Sequence, residues 1–266
     1  MSTNIVSKGF VVVQQPRERI NAPLLAWESI IDPALITATS AEDDNPVANL
    51  VNQSTAFVWR ATSAAQQDID FEVGSVVNYI GIARHNLTGD AQIRIQFLVG
   101  GSYLTIFDWF AAPLNQTAFF VINEAEPDGV RISIRNNPTA PTIGVIMCGV
   151  YLELQRNIYV GHTPVTYGRT VDTVGGYSEN GQYLGELVRR EGRSTSVSLE
   201  NLTPDWYRAS LDPFIAQRPR GAAFFVWRPG KYPAEVGYVW LSGNPQPVNQ
   251  RANGMMSISM DFEAIV

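Results

Sequence analysis

The sequence predicts a mainly β protein: a jelly-roll β-sandwich followed by a smaller C-terminal β-rich module with one short helix. Three observations carry that prediction. Apolar and polar residues alternate with period two in segment after segment, as half-buried strands require. Clusters of Gly, Pro, Asn and Asp separate those segments at short intervals. Only one stretch reads persuasively as a helix of more than a turn.

Taken in order, strands are expected at 68–72, 76–84, 91–97, 102–108, 117–123, 130–135 and 143–155. Ala91-Gln92-Ile93-Arg94-Ile95-Gln96-Phe97 is the cleanest case, with apolar residues on one face and polar ones on the other. Gly100-Gly101, Pro127-Asp128-Gly129 and Asn136-Asn137-Pro138 supply the turns. Between Ile158 and Gly192 the alternation gives way to glycine, tyrosine and polar residues, which places a boundary near 160. The expected division is an N-terminal extension over 1–24, a jelly roll over 25–158, a linker with a Gly-rich arm over 159–193, and an assembly module over 194–266.

In the last part, strands are expected at 194–199, 222–228, 236–241 and 255–266. The helix begins after Thr203, a good N-cap, with Pro204 at its first position and Asp205 complementing its positive end. Pro213 would clash inside it, so the helix should end or kink near Leu211.

Composition bounds the chemistry. With 45% hydrophobic and 17% charged residues, the chain can bury a full core. The formal charge of −6 lies wholly in residues 1–160, where 9 Lys+Arg face 15 Asp+Glu, and this argues against nucleic acid as a partner. A single cysteine, Cys148, sits in an apolar run and excludes a disulfide framework or a cysteine-based metal site. No stretch is long and apolar enough for a membrane span, and the N-terminus, Met1-Ser2-Thr3-Asn4, lacks a secretory pattern, so synthesis in the cytosol is expected.

No motif for a hydrolase, phosphate loop or dinucleotide site is present, and the two histidines, His85 and His162, lack partner motifs, so no enzymatic activity is expected. His85 reads as a strand-end residue hydrogen-bonded to backbone, and His162 as a linker residue. Glu42-Asp43-Asp44-Asn45 offers Asp43 and Asp44 as oxygen ligands for calcium; the competing reading is a solvated turn in which Asn45 caps a short helix starting at Pro46. No cofactor is otherwise needed. A sugar site would use an aromatic platform with oriented polar groups at strand ends, and Trp59, Arg60, Arg84, His85, Asn86 and Arg135 are its candidates. Trp59 has an alternative as a core residue beside Phe57 and Val58. Outward aromatics of the last module, namely Phe225, Trp227, Tyr238 and Trp240, together with Tyr177 and Tyr183 in the arm, have the composition of a protein interface.

One further signal is the order of motifs from Asn45 to Asn86. Asn45-Pro46-Val47-Ala48-Asn49-Leu50 is followed by Val58-Trp59-Arg60-Ala61, Ile69-Asp70-Phe71 and the apolar strand Val76 to Ala83 closing on Arg84-His85-Asn86. Over roughly residues 25–155 this resembles the galactose-binding-like, discoidin-type jelly rolls of bacteriophage tail and tail-tip proteins. The resemblance implies a structural subunit of a phage tail tip or baseplate, located in the virion tail. Other tail proteins would be its partners, and it would form a homo-oligomeric ring, a trimer or a hexamer. It also implies an alternative, a carbohydrate-binding module that attaches to a host surface glycan. In such modules the tryptophan usually packs in the barrel.

Overall fold

The computed structural model describes residues 10–13, 21–112, 117–158, 160–217, 221–250 and 252–265. The reading of Met1 to Asn4 and most of the expected N-terminal extension lie outside these residues.

The first part of the chain contributes β1 (Phe10–Val13), β2 (Leu24–Ala26), β3 (Ile36–Ala38), β4 (Trp59–Arg60), β5 (Gln67–Glu72), β6 (Val77–His85), β7 (Gln92–Val99), β8 (Ser102–Ala111), β9 (Ala118–Ala125), β10 (Gly129–Arg135) and β11 (Thr142–Gly149). All but β2 form two five-stranded sheets. The outer sheet runs β3-β5-β10-β7-β8 and the middle sheet β1-β9-β6-β11-β4. From β3 to β7 each successive strand changes sheet, so the sandwich is closed by crossing connections, as in a jelly roll. Alternation fills the space between the sheets: Ile93, Ile95 and Phe97 of β7 and Val130, Ile132 and Ile134 of β10 meet Ile80, Ile82, Phe120 and Ile146 of the middle sheet.

The second part adds β12 (Leu152–Glu153), β13 (Arg169–Tyr177), β14 (Tyr183–Leu202), β15 (Ala223–Val226), β16 (Val236–Leu241), β17 (Val248–Asn249) and β18 (Met256–Ile265). A third sheet follows the order β12-β2-β15-β16-β18-β14-β13. Its strand β2 comes from the start of the expected jelly roll and pairs with β15 through Leu25 and Phe225. The expected strand over 143–155 is thereby two strands. β11 ends in the middle sheet at Gly149, and β12 begins in the third sheet, with Tyr151 N–H held by Asn78 Oδ1 at 2.8 Å where the chain crosses.

The third sheet lies against the back of the middle sheet. Leu24, Phe224, Val226, Val236 and Tyr238 pack onto Tyr79, Ala83, Phe119, Val121, Val145 and Met147. Both faces of the middle sheet are therefore buried, which explains why Val77 to Ala83 reads as a continuous apolar run rather than an alternating one. Gly81 is part of that fit, since a Cβ there would stand 2.4 Å from the Phe224 ring.

The far face of the third sheet is covered by α1 (Pro204–Trp206), a π-helical turn (Tyr207–Leu211) and α2 (Asp212–Gln217), whose Tyr207, Leu211 and Phe214 pack on Leu25, Phe225 and Phe262. The helix neither ends at Leu211 nor continues as an ordinary helix. Pro213 lacks an N–H and crowds the carbonyl four residues back, and the widened π turn just before it absorbs both defects. Thr203 is the N-cap by position but makes no side-chain cap; its hydroxyl accepts a hydrogen bond from Gln155 Nε2 at 2.8 Å instead.

Candidate functional site

The sugar-site candidates do not assemble into one pocket. Trp59 is fully buried between the sheets, and its Nε1 donates to the Ser40 carbonyl at 3.0 Å, so it is a core residue. Arg60 is exposed and pairs with Glu42 at 3.4 Å. Arg84 is exposed in left-handed backbone at φ 52°, which turns the end of β6. His85 is buried, with its Nδ1 accepting from the Leu87 N–H at 3.2 Å, as expected for a strand-end histidine. Asn86 is a structural clamp: its Nδ2 donates to the Ala140 carbonyl at 2.9 Å and its Oδ1 accepts from the Thr142 N–H at 2.8 Å. The Arg-His-Asn cluster is thus divided by strand alternation, and two of its three members are spent inside the fold.

The acidic turn is likewise local. Asp43 and Asp44 are exposed at its tip. Asn45 does not cap the following helical turn; its Nδ2 donates to Glu42 Oε2 at 3.2 Å, and the residue preceding that turn is Pro46. Among the described residues no three His, Cys, Asp or Glu side chains converge as metal ligands.

His162 is more than a linker residue. Its ring packs 4.8 Å from that of Trp227, with Nδ1 3.0 Å from the Ser196 carbonyl, and burial lowers its pKa against the raising effect of that carbonyl. Glu235, at the entrance to β16, is buried, and burial pushes its carboxyl up to about 7 although Arg228 pulls it down. Cys148 is buried and its thiol is raised well above the usual range by desolvation.

Among the described residues, two surfaces carry features relevant to binding. The first is the outward face of the outer sheet, where alternation sets Gln92, Arg94 and Gln96 of β7 beside Arg135, Ser133 and Arg131 of β10. Arg131 is fully engaged, with Nε and Nη2 at 2.7 and 2.9 Å from Asp70 and its guanidinium 4.1 Å from the Tyr103 ring centroid. Arg94 and Arg135 instead lie 4.6 and 4.0 Å from the centroid of a single indole, Trp109. Arg135 was a sequence candidate; Arg94 and Trp109 were not. The available signal was their shared parity with Arg135 on paired strands.

The second open surface is the arm. The stretch read as a Gly-rich linker is a β-ribbon, β13 against β14, which beyond Arg193 has no third strand beside it. Tyr177 and Tyr183 face each other near its tip with ring centroids 5.8 Å apart, and they are 73% and 59% exposed. Of the other expected interface residues, Phe225 and Tyr238 are buried inside the molecule, and Trp227 and Trp240 are partly buried against its own cores. The reason is that the third sheet is covered on both faces, so neither parity of β15 or β16 points outward. Tyr238 also donates its hydroxyl to the Gln53 carbonyl at 2.7 Å, joining the two parts of the chain.

No family model and no curated protein matches this sequence. Among solved structures the chain resembles a chitosan-binding module of a chitosanase/glucanase from Paenibacillus sp. IK-5, at a TM-score of 0.40 and 14% identity, over 45% of this chain and 98% of that one. It also resembles the family 32 carbohydrate-binding module of NanJ from C. perfringens, solved with galactose, at a TM-score of 0.39 and 14% identity, over 48% of this chain and 99% of that one.

Proposed function

We propose that this protein is a structural subunit of a multi-copy assembly, the tail tip or baseplate of a bacteriophage, and that the β13–β14 ribbon is its principal contact with the neighbouring subunit. The single observation that carries this reading is the ribbon's surface. Val171, Val174, Leu184, Leu187 and Val188 are all at least half exposed, as are both tyrosines. Register sets Val174 beside Leu187 on one face, and Thr173 beside Val188 on the other. A two-stranded ribbon is marginal in water by itself, and one with apolar side chains on both faces gains most by being sandwiched. β13 also leaves the sheet's edge open, so strand addition by a neighbour is available as well. Symmetric copies would each bury the same ribbon, closing a ring.

Light scattering coupled to size-exclusion chromatography tests this. The parent chain should elute as a closed oligomer, and a variant with residues 174–186 replaced by a two-residue turn should elute as a folded monomer. A parent chain that stays monomeric at high concentration would end the proposal.

A second reading, a carbohydrate-binding role at a host surface, is favoured by the open outward face of the jelly roll. That face combines aromatic rings, guanidinium groups and amides, the groups from which sugar sites are made.

A further inference from the structure

Deepening the carbohydrate-binding reading and resting on it, we propose that the outward face of the outer sheet, centred on Arg94, Trp109 and Arg135, is a binding site for a carboxylate-bearing saccharide. The argument begins with what these cations lack. Among the described residues no carboxylate lies within ion-pair distance of Arg94 or Arg135, whereas Arg131 on the same face has Asp70. Arg135 gives its Nε to Gln92 Oε1 at 2.8 Å and keeps its terminal nitrogens for another acceptor. The Arg94 Nε is out of water and makes no hydrogen bond. Beside it in register, the Ser133 hydroxyl is fully buried and also unpartnered.

Both guanidinium carbons lie over one indole, at 4.6 and 4.0 Å from its centroid, so they are at most about 9 Å apart, and two unneutralised like charges within that separation repel. Buried polar groups without partners are rare because each one carries an uncompensated desolvation cost. An anion held by the free ends of the two guanidinium groups relieves that repulsion. The ring of Trp109 holds the guanidiniums by cation–π contact and so fixes their forks before a ligand arrives. Such forks match a planar carboxylate in a bidentate manner.

The rest of the ligand is defined by what surrounds the arginines. Gln92, half-buried, and Thr105, exposed, flank the arginines, while Gln96 is buried with its amide on the Thr105 hydroxyl at 3.3 Å; the Thr105 hydroxyl and the Gln92 amide nitrogen suit a ligand rich in hydroxyl groups. A protein partner would require an apolar, charge-poor centre, which this face lacks. Nucleic acid would need a row of cations following its phosphates, and this face offers two arginines without a carboxylate partner, Arg131 being engaged by Asp70. A uronate or sialate residue within a polysaccharide meets every requirement.

Affinity electrophoresis of the intact chain in gels containing polygalacturonate, its methyl ester, or polysialic acid tests the site. At least one acidic polymer should retard the protein, with retardation falling about tenfold in Arg94→Ala and Arg135→Ala and remaining low in Arg94→Lys, which keeps the charge but loses the fork. The ester should retard weakly. Thermal melts of each variant should remain cooperative, which separates a lost site from a lost fold. If a saccharide binds but the ester is equivalent and Arg94→Ala is silent, the carbohydrate reading survives and this site is wrong. If neither acidic polymer nor ester retards the protein, the carbohydrate reading falls and the site with it. If inorganic sulfate or free acetate competes as well as the saccharide does, the face is a simple anion site and the saccharide assignment is overturned.

Discussion

At the scale of single residues, two positions show how the layered packing sets local tolerance. Gly81 lies in extended β6, where glycine is ordinarily a poor choice, yet the Phe224 ring occupies the space a side chain would need. Gly81→Ala should therefore destabilise the protein by about 1–3 kcal/mol, the range for overpacking a filled core. Gly74→Ala, which meets nothing within 4 Å, should be close to silent, and urea denaturation of both variants checks the contrast. Glu235 gives a pH dependence. Its carboxyl is raised from 4.5 to about 7 by burial, so the folded chain holds a proton that the unfolded chain has released in that interval. Stability should be unaffected by this group below about pH 4.5, decline between there and about pH 7, and level off above it. Glu235→Gln should flatten that part of a plot of melting temperature against pH. Unchanged curvature in the variant would mean that another group is responsible.

At the scale of elements, period two located most strands of the sandwich, and the boundaries of β5, β6, β9 and β10 agree with expectation within two residues. The arm is a paired ribbon although its sequence reads as a Gly-rich linker. Gly175, Gly176, Gly181 and Gly185 lower strand propensity and mimic a linker, but pairing with β14 overrides them. Gly181 and Gly185, at φ 75° and 103°, serve the tight turn and a register shift that other residues would resist. The helix was legible at its start and at Pro213, since both depend on backbone chemistry carried by the residue itself. Its capping bond was not, because Gln155, from a distant part of the chain, competes for Thr203 and wins.

At the scale of the whole molecule, three sheets and one helix are stacked, with the middle sheet between two cores. The core behind it takes Phe119 and Met147 from the sandwich and Phe224 and Tyr238 from the later strands, while β2 binds the beginning of the chain into the third sheet. Burial shared in this way couples the two parts. Differential scanning calorimetry should show one cooperative transition, with Tyr238→Ser shifting all of it to lower temperature. Two separated transitions, only one of them moved by Tyr238→Ser, would show that the parts unfold independently.

The sequence by itself determined the β class, the strand spacing, the position of the one helical segment and the absence of recognised catalytic motifs, because each is written in local periodicity and in the fixed backbone preferences of Pro, Gly and Asn. It could not determine which faces remain open. Alternation says that Trp59, Phe225 and Tyr238 point to one side of their strands, but not whether water or another sheet lies there. Only the tertiary stacking decided that these aromatics are core and that His85 and Asn86 are spent within the fold. The same stacking left the Arg94–Trp109–Arg135 face and the β13–β14 ribbon exposed, because burial belongs to pairs of surfaces brought together from distant parts of the chain.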